Sequence, residues 1–203
     1  MAIERITMRN ATSGVNILLM VTIAIFFFTS GADEELISSF ALWPLHGCFM
    51  PWQLVTYAFL HGNLMHLAFN MYGLWLFGSE MESLLGRRTF LYLYFASVLS
   101  AAAMQLLVTS ASGGFYPTVG ASGGVFGLLL AYGMCFPNRK LMLLFPPIPM
   151  PAWVFVTLYA LIELTLGVTG TQAGVAHFAH LGGMLGGYLV IHQWRKQSRN
   201  RWY

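Results

Sequence analysis

The sequence predicts an all-α polytopic membrane protein: one domain over residues 1–203, built as a bundle of six membrane-spanning helices with both termini cytoplasmic. Three observations carry this. First, 57% of the 203 residues are hydrophobic and only 8% are charged, against the quarter or so of charged residues usual in soluble domains. Second, apolar stretches of about 20 residues, enough to cross a bilayer as helix, fall near 14–31, 63–79, 90–109, 120–136, 150–168 and 176–194. Third, cytoplasmic loops carry an excess of Lys and Arg. With the N-terminus inside and a crossing at every stretch, all 10 basic residues lie on one side: Arg5, Arg9, Arg87, Arg88, Arg139, Lys140, Arg195, Lys196, Arg199 and Arg201. The outer connections keep Asp33, Glu34 and Glu35 and no base. A wrong span count would scatter the bases over both faces.

Each element follows in turn. Val15 to Phe28 forms the first span; no A-x-A cleavage site follows it, so it is read as a retained helix rather than a leader. The connection from Ala32 to Gly62 holds Trp43, Phe49, Trp52 and Tyr57 and is too apolar for a solvated loop, which places it on the outer interface. Ser110 to Pro117 is a flexible outer loop by its Ser, Gly and Pro content. The fourth span, Ser122 to Phe136, is short, about 22 Å at the helical rise, so its start lies below the surface. Pro137 to Lys140 makes a tight inner turn, and Pro146, Pro147, Pro149 and Pro151 delay the fifth helix. The net charge of +3 reflects orientation against anionic lipid headgroups and gives no case for nucleic acid. Cys48 and Cys135 fall on opposite sides and cannot pair within the chain.

The chemistry-bearing residues cluster at one depth. The second, fourth and sixth spans all start on the outside. His66 and Asn70 occupy the first turns of one, Ser122 opens another, and His180 stands about one turn into the third. Polar and ionisable groups inside a bilayer are costly and read as functional. A hydroxyl and an imidazole at one depth can form the pair that makes serine nucleophilic. His66 and Asn70, four apart, share a helix face and could donate to a developing oxyanion. Gly120-Ala121-Ser122-Gly123 alone is weak, since serine beside glycine also marks close helix packing, and interhelical hydrogen bonding explains His66 and Asn70 as readily. Gly123, Gly124 and Gly127 of the fourth span, and Gly182, Gly183, Gly186 and Gly187 of the sixth, allow two backbones to approach closely and would hold His180 against Ser122.

Metal chemistry at His61, His66, His177 and His180 is a weaker alternative: HExxH is missing, and no acidic or cysteine ligand is expected beside them in the outer half of the spans. No metal and no cofactor are expected. Glu163, the only acid well inside a span, and His177 receive no assigned role.

At His61-Gly62-Asn63-Leu64-Met65-His66-Leu67-Ala68-Phe69-Asn70, Gly120-Ala121-Ser122-Gly123 with Phe126-Gly127, and Ala179-His180-Leu181-Gly182-Gly183 with Gly186-Gly187, the chain resembles the rhomboid intramembrane serine proteases. The resemblance implies a Ser122/His180 catalytic dyad with no acidic third member, reached from the outer side, and an oxyanion site of His66, Asn70 and the Ser122 amide. Phe126 stands where the family carries an aromatic, often Tyr, that packs on the catalytic imidazole. Trp52-Gln53 stands where the family commonly has Trp-Arg, which puts that loop's polar contacts in doubt. The implied activity is cleavage of single-span transmembrane proteins within the lipid bilayer, at small residues and above helix-destabilising ones, through an acyl-enzyme. The implied location is the bacterial inner (plasma) membrane, with the site opening toward the outer face. A non-catalytic rhomboid-like protein that binds transmembrane clients is the alternative. Neither a physiological substrate nor an oligomeric state follows from the sequence.

Overall fold

The computed structural model describes residues 13–31, 33–142, 147–170 and 176–200; Arg5, Arg9, Pro146 and Arg201 lie outside them. The first long helix, α1 (Gly14–Thr29), begins with two devices for its free N–H groups. Ser13 accepts from the Asn16 amide at 3.1 Å. The Glu82 carboxylate accepts from Gly14 and Val15 at 2.6 and 2.9 Å, placing negative charge at the positive end of the helix. The connection between the first two long helices folds as α2 (Glu34–Phe40), α3 (Gln53–Thr56) and a 3₁₀ turn (Tyr57–Phe59). Gln53 is buried. Its carbonyl accepts from the Trp43 amide at 3.1 Å, and its amide nitrogen donates to the Cys48 and Ser39 carbonyls at 3.1 and 3.3 Å. Glutamine therefore supplies the polar contacts that its substitution for arginine put in doubt.

Next come α4 (Leu64–Leu85) and α5 (Arg87–Ser112), joined at Gly86. Both outrun their apolar stretches. Ser79 to Leu85 is too polar for a hydropathy span but rich in the helix formers Glu, Met and Leu. Ser110 to Ser112, expected in a flexible loop, form the last turn of α5. Gly113, at φ +70°, takes the left-handed conformation that ends it. The short α6 (Ser122–Cys135) starts and stops within one residue of expectation.

A two-stranded antiparallel ribbon, β1 (Lys140–Met142) and β2 (Pro149–Pro151), pairs Lys140 with Pro151 and Met142 with Pro149. It is a small departure from an all-α chain. Prolines lack the N–H that a longer ladder needs, and α7 (Ala152–Thr169) begins directly after Pro151. The last helix is α8 (His177–Asn200). Of the six long helices among the described residues, α5 and α7 are long and apolar enough to cross a membrane, while α1 and α6 are shorter apolar helices.

Helix α6 packs against α4, α5, α7 and α8, and α8 packs extensively on both α5 and α6. Glycine makes this possible. A Cβ at Gly182 would lie 2.8 Å from the Ser100 carbonyl oxygen, and one at Gly186 would lie 2.8 Å from that of Ala96, both on α5. One residue further along each turn, Gly183 and Gly187 press on the backbone of Gly123 and Gly127 of α6. The expected α6–α8 contact is present, and a second glycine face, turned to α5, accompanies it.

Candidate active site

Ser122 is the first residue of α6, and His180 is the fourth of α8. The close glycine contacts bring them together: the His180 Nε2 lies 2.8 Å from the Ser122 Oγ. Three further contacts fix the backbone before Ser122. Gly120 donates to the Tyr57 carbonyl at 2.9 Å, the Ala121 amide points at the His61 Nε2 at 3.4 Å, and Thr118 pairs with Leu42 in the connection between α1 and α4. Tyr57 is itself anchored, its hydroxyl donating to the Val98 carbonyl of α5 at 2.8 Å. Gly120 has φ +126°, and a Cβ there would meet the His66 ring at 2.7 Å. Both constraints demand glycine.

Phe126 lies one turn past Ser122 and stacks on the His180 ring, with centroids 4.3 Å apart and planes 5° from parallel. The ring packing that the sequence led us to expect is present without a hydroxyl. On α4, Asn63 caps the helix by accepting from the His66 amide at 2.8 Å. Asn70, almost fully buried, donates one amide hydrogen to the His66 carbonyl at 2.9 Å. Its second hydrogen remains for another acceptor. His66, Asn70, Tyr116, Ser122, Ala176 and His180 line a common cavity of about 530 Å³. The first-turn N–H groups of α6 have no intrahelical carbonyl to bond. A carbonyl compound in this cavity would meet a hydroxyl, an imidazole and several donors at once.

His61 precedes α4 and is buried edge-on to His66, with ring centroids 5.0 Å apart. Burial, and secondly the neighbouring His66, push its imidazole down to about 4. It is therefore neutral at physiological pH and able to accept at Nε2.

Sequence reasoning missed one neighbour of the pair. An acid-free dyad was expected, with no acidic group near the outer histidines, yet the buried Glu163 of α7 places its Oε2 2.7 Å from the His177 Nδ1 and 2.9 Å from the His180 Nδ1. The bond to His177 is well aligned. The approach to His180 is oblique, outside ideal hydrogen-bond directions. The signal was available: a lone acid inside an apolar helix needs a partner, and His177 and His180, three apart, share a helix face at the end of α8 nearest in sequence to Glu163. Glu163, His177 and His180 each offer a ligand atom within 4.8 Å of the others, a His₂Glu set of the kind that binds catalytic zinc. Of the two Nδ1 atoms that approach this oxygen, that of His177 makes an aligned hydrogen bond with it.

Comparison with known proteins gives concordant relatives. The family described as the Rhomboid domain matches residues 49–196. Rhomboid protein 1, mitochondrial, of Saccharomyces cerevisiae is 31% identical over 166 residues, 74% of this chain and 46% of the relative. Presenilin-associated rhomboid-like protein A, mitochondrial, of Danio rerio is 34% identical over 151 residues, 71% of this chain and 39% of the relative. Rhomboid protease GluP of Bacillus subtilis is 30% identical over 141 residues, 68% of this chain and 25% of the relative. The chain thus spans less than half the length of these relatives.

Proposed function

This chain belongs to the rhomboid family, and on that premise we propose that it is an intramembrane serine endopeptidase acting on single-span transmembrane proteins. The observation that carries the reading is the 2.8 Å bond between the Ser122 Oγ and the His180 Nε2. In the proposed reaction the Ser122 proton passes to the His180 Nε2 as Oγ attacks the scissile carbonyl carbon. The oxyanion accepts from His66, the free Asn70 amide hydrogen and the Ser122 N–H. The imidazolium returns its proton to the leaving amine, freeing one fragment and leaving an ester on Ser122. Water, deprotonated by His180, then attacks the ester; as the acyl–oxygen bond breaks, the imidazolium returns that proton to the Ser122 Oγ and the other fragment leaves as a carboxylate, its own proton passing to solvent. Phe126 limits rotation of the ring between the two proton transfers.

The reading takes residues 1–203 as one membrane domain, with six crossings at the six long helices and cytoplasmic termini. In support, every basic residue falls on one side of such an arrangement, and the cavity over Ser122 lies at the opposite, outer end. Two of the relatives named above are mitochondrial and one is bacterial. The protein is accordingly an integral membrane protein, and the bacterial inner membrane expected from the sequence finds no support in these relatives.

The deciding experiment is labelling of the purified chain with a fluorophosphonate probe, paired with cleavage of a model transmembrane helix carrying small residues at the cut. Parent protein is labelled and cleaves. Ser122→Ala abolishes labelling and slows cleavage by about 10⁶-fold, the loss typical of a serine protease nucleophile. Cleavage by Ser122→Ala at the parent rate would overturn the proposal. Binding of the model helix with no cleavage by the parent would put a client-binding role in its place.

A further inference from the structure

We propose that Glu163 is a positioning residue for His180, which turns the Ser122/His180 pair into a Ser-His-Glu arrangement. The inference rests on the reading that this pair reacts. Glu163 sits in the apolar helix α7 at 8% exposure, where a carboxylate is tolerated only with partners. Its Oε2 has two, the His177 Nδ1 at 2.7 Å and the His180 Nδ1 at 2.9 Å. His180 is consequently held on three sides. Its Nε2 meets the hydroxyl of Ser122, its Nδ1 meets the carboxylate, and its ring face lies on Phe126.

The two contacts of Glu163 differ in kind, and the difference assigns the roles. The aligned bond from His177 anchors the carboxylate. The oblique contact with His180 is short enough for strong electrostatic attraction, which depends on distance more than on angle. When the Ser122 proton arrives on Nε2, the ring becomes a cation with its Nδ1–H toward Glu163. The carboxylate stabilises that cation without taking the proton, as the acid of a soluble triad does. It also favours the neutral form that carries its hydrogen on Nδ1, leaving the Nε2 lone pair free for the serine.

The test uses the purified chain and the rate of fluorophosphonate labelling at Ser122 as a function of pH. Beside Glu163, the ionisable groups facing His180 among the described residues are His177 on the same helix and His66 on α4, with Tyr159 one turn before Glu163 on α7. All three are unchanged in the variants. Glu163→Gln keeps the shape and removes the charge. It is expected to slow labelling about 10²-fold, within the usual range for general-base assistance and short of the ~10⁴ lost when asparagine replaces the acid of a soluble triad.

The acid limb of the profile is expected to move about one pH unit lower, because a carboxylate no longer favours the charged ring. Glu163→Asp retains charge and is expected to fall between Gln and parent, with its acid limb near the parent position. A parent-like rate and profile for Glu163→Gln would overturn the proposal. So would slow labelling with an unmoved acid limb, or Glu163→Asp matching Glu163→Gln in both respects, since packing alone produces those results. If Glu163→Gln fails to fold, the Asp variant decides by its rate and limb. Labelling of Ser122→Ala, or none of the parent, would instead remove the functional reading itself.

Discussion

Replacing Gly183 with alanine tests the central claim that glycine contacts between α6 and α8 set the geometry of the site. An added methyl would lie 2.7 Å from the Gly123 carbonyl carbon and 3.0 Å from its Cα, with the carbonyl oxygen nearer still. Carbon atoms settle about 3.5–4.0 Å apart, so the carbon contact alone requires the two backbones to part by about 0.8 Å, and the nearer carbonyl oxygen requires about 1.3 Å. Neither can yield locally, because the obstacle is main chain, and α8 is backed by α5 through Gly182 and Gly186.

Gly123 directly follows Ser122, and Gly183 is three residues past His180, so the separation transfers to the reacting pair. It would stretch the 2.8 Å contact to about 4.1 Å, beyond hydrogen-bond range. A misplacement of this size costs about 10² in rate, and overpacking costs about 1–3 kcal/mol of stability. The assay is cleavage of the model transmembrane helix alongside thermal unfolding in the same detergent. Gly31→Ala serves as control, since a Cβ there meets nothing within 4 Å. Activity of Gly183→Ala within twofold of the parent would refute the reasoning.

Two further outcomes are expected. Asn70→Ala removes a proposed oxyanion donor and should lower kcat by about 10²–10³ with little change in KM, the signature of an interaction made in the transition state; a rise in KM alone would place Asn70 in substrate binding. His61, held down to about 4 by burial and by His66, stays neutral in the folded protein down to that pH, whereas the unfolded chain protonates near 6.5. The unfolded state then binds more protons between about pH 4 and 6.5, so stability falls as pH drops through that window, by about 3 kcal/mol at most. Thermal unfolding across the window checks this, and His61→Gln should flatten the dependence.

How much was legible in the chain depends on the range of the interaction involved. The helix starts at Leu64, Ser122 and His177 lie within two residues of the apolar stretches read near 63, 120 and 176, because hydropathy is a local property of the chain. The ends were less visible. Hydropathy stops at the polar Ser79-Glu80 step although helix propensity continues to Leu85, and the Ser110–Ser112 turn reads as loop although only Gly113 breaks the helix. Gln53 looked like a lost contact because its three partners, Trp43, Cys48 and Ser39, meet only when the connection between α1 and α4 folds. The role of Glu163 was hidden for the same reason.

By itself, then, the sequence determined the membrane class, the order of the helices and the residue types able to make a nucleophile, a base and an oxyanion cradle. Periodicity, hydropathy and charge sidedness are written along the chain. Only the tertiary structure decided that α8 bears glycine faces toward both α5 and α6, and that a carboxylate from α7 reaches the back of the His180 ring. Those depend on how closely backbones distant in sequence can approach. That is set by the mutual fit of three or four helices and not by any one of them.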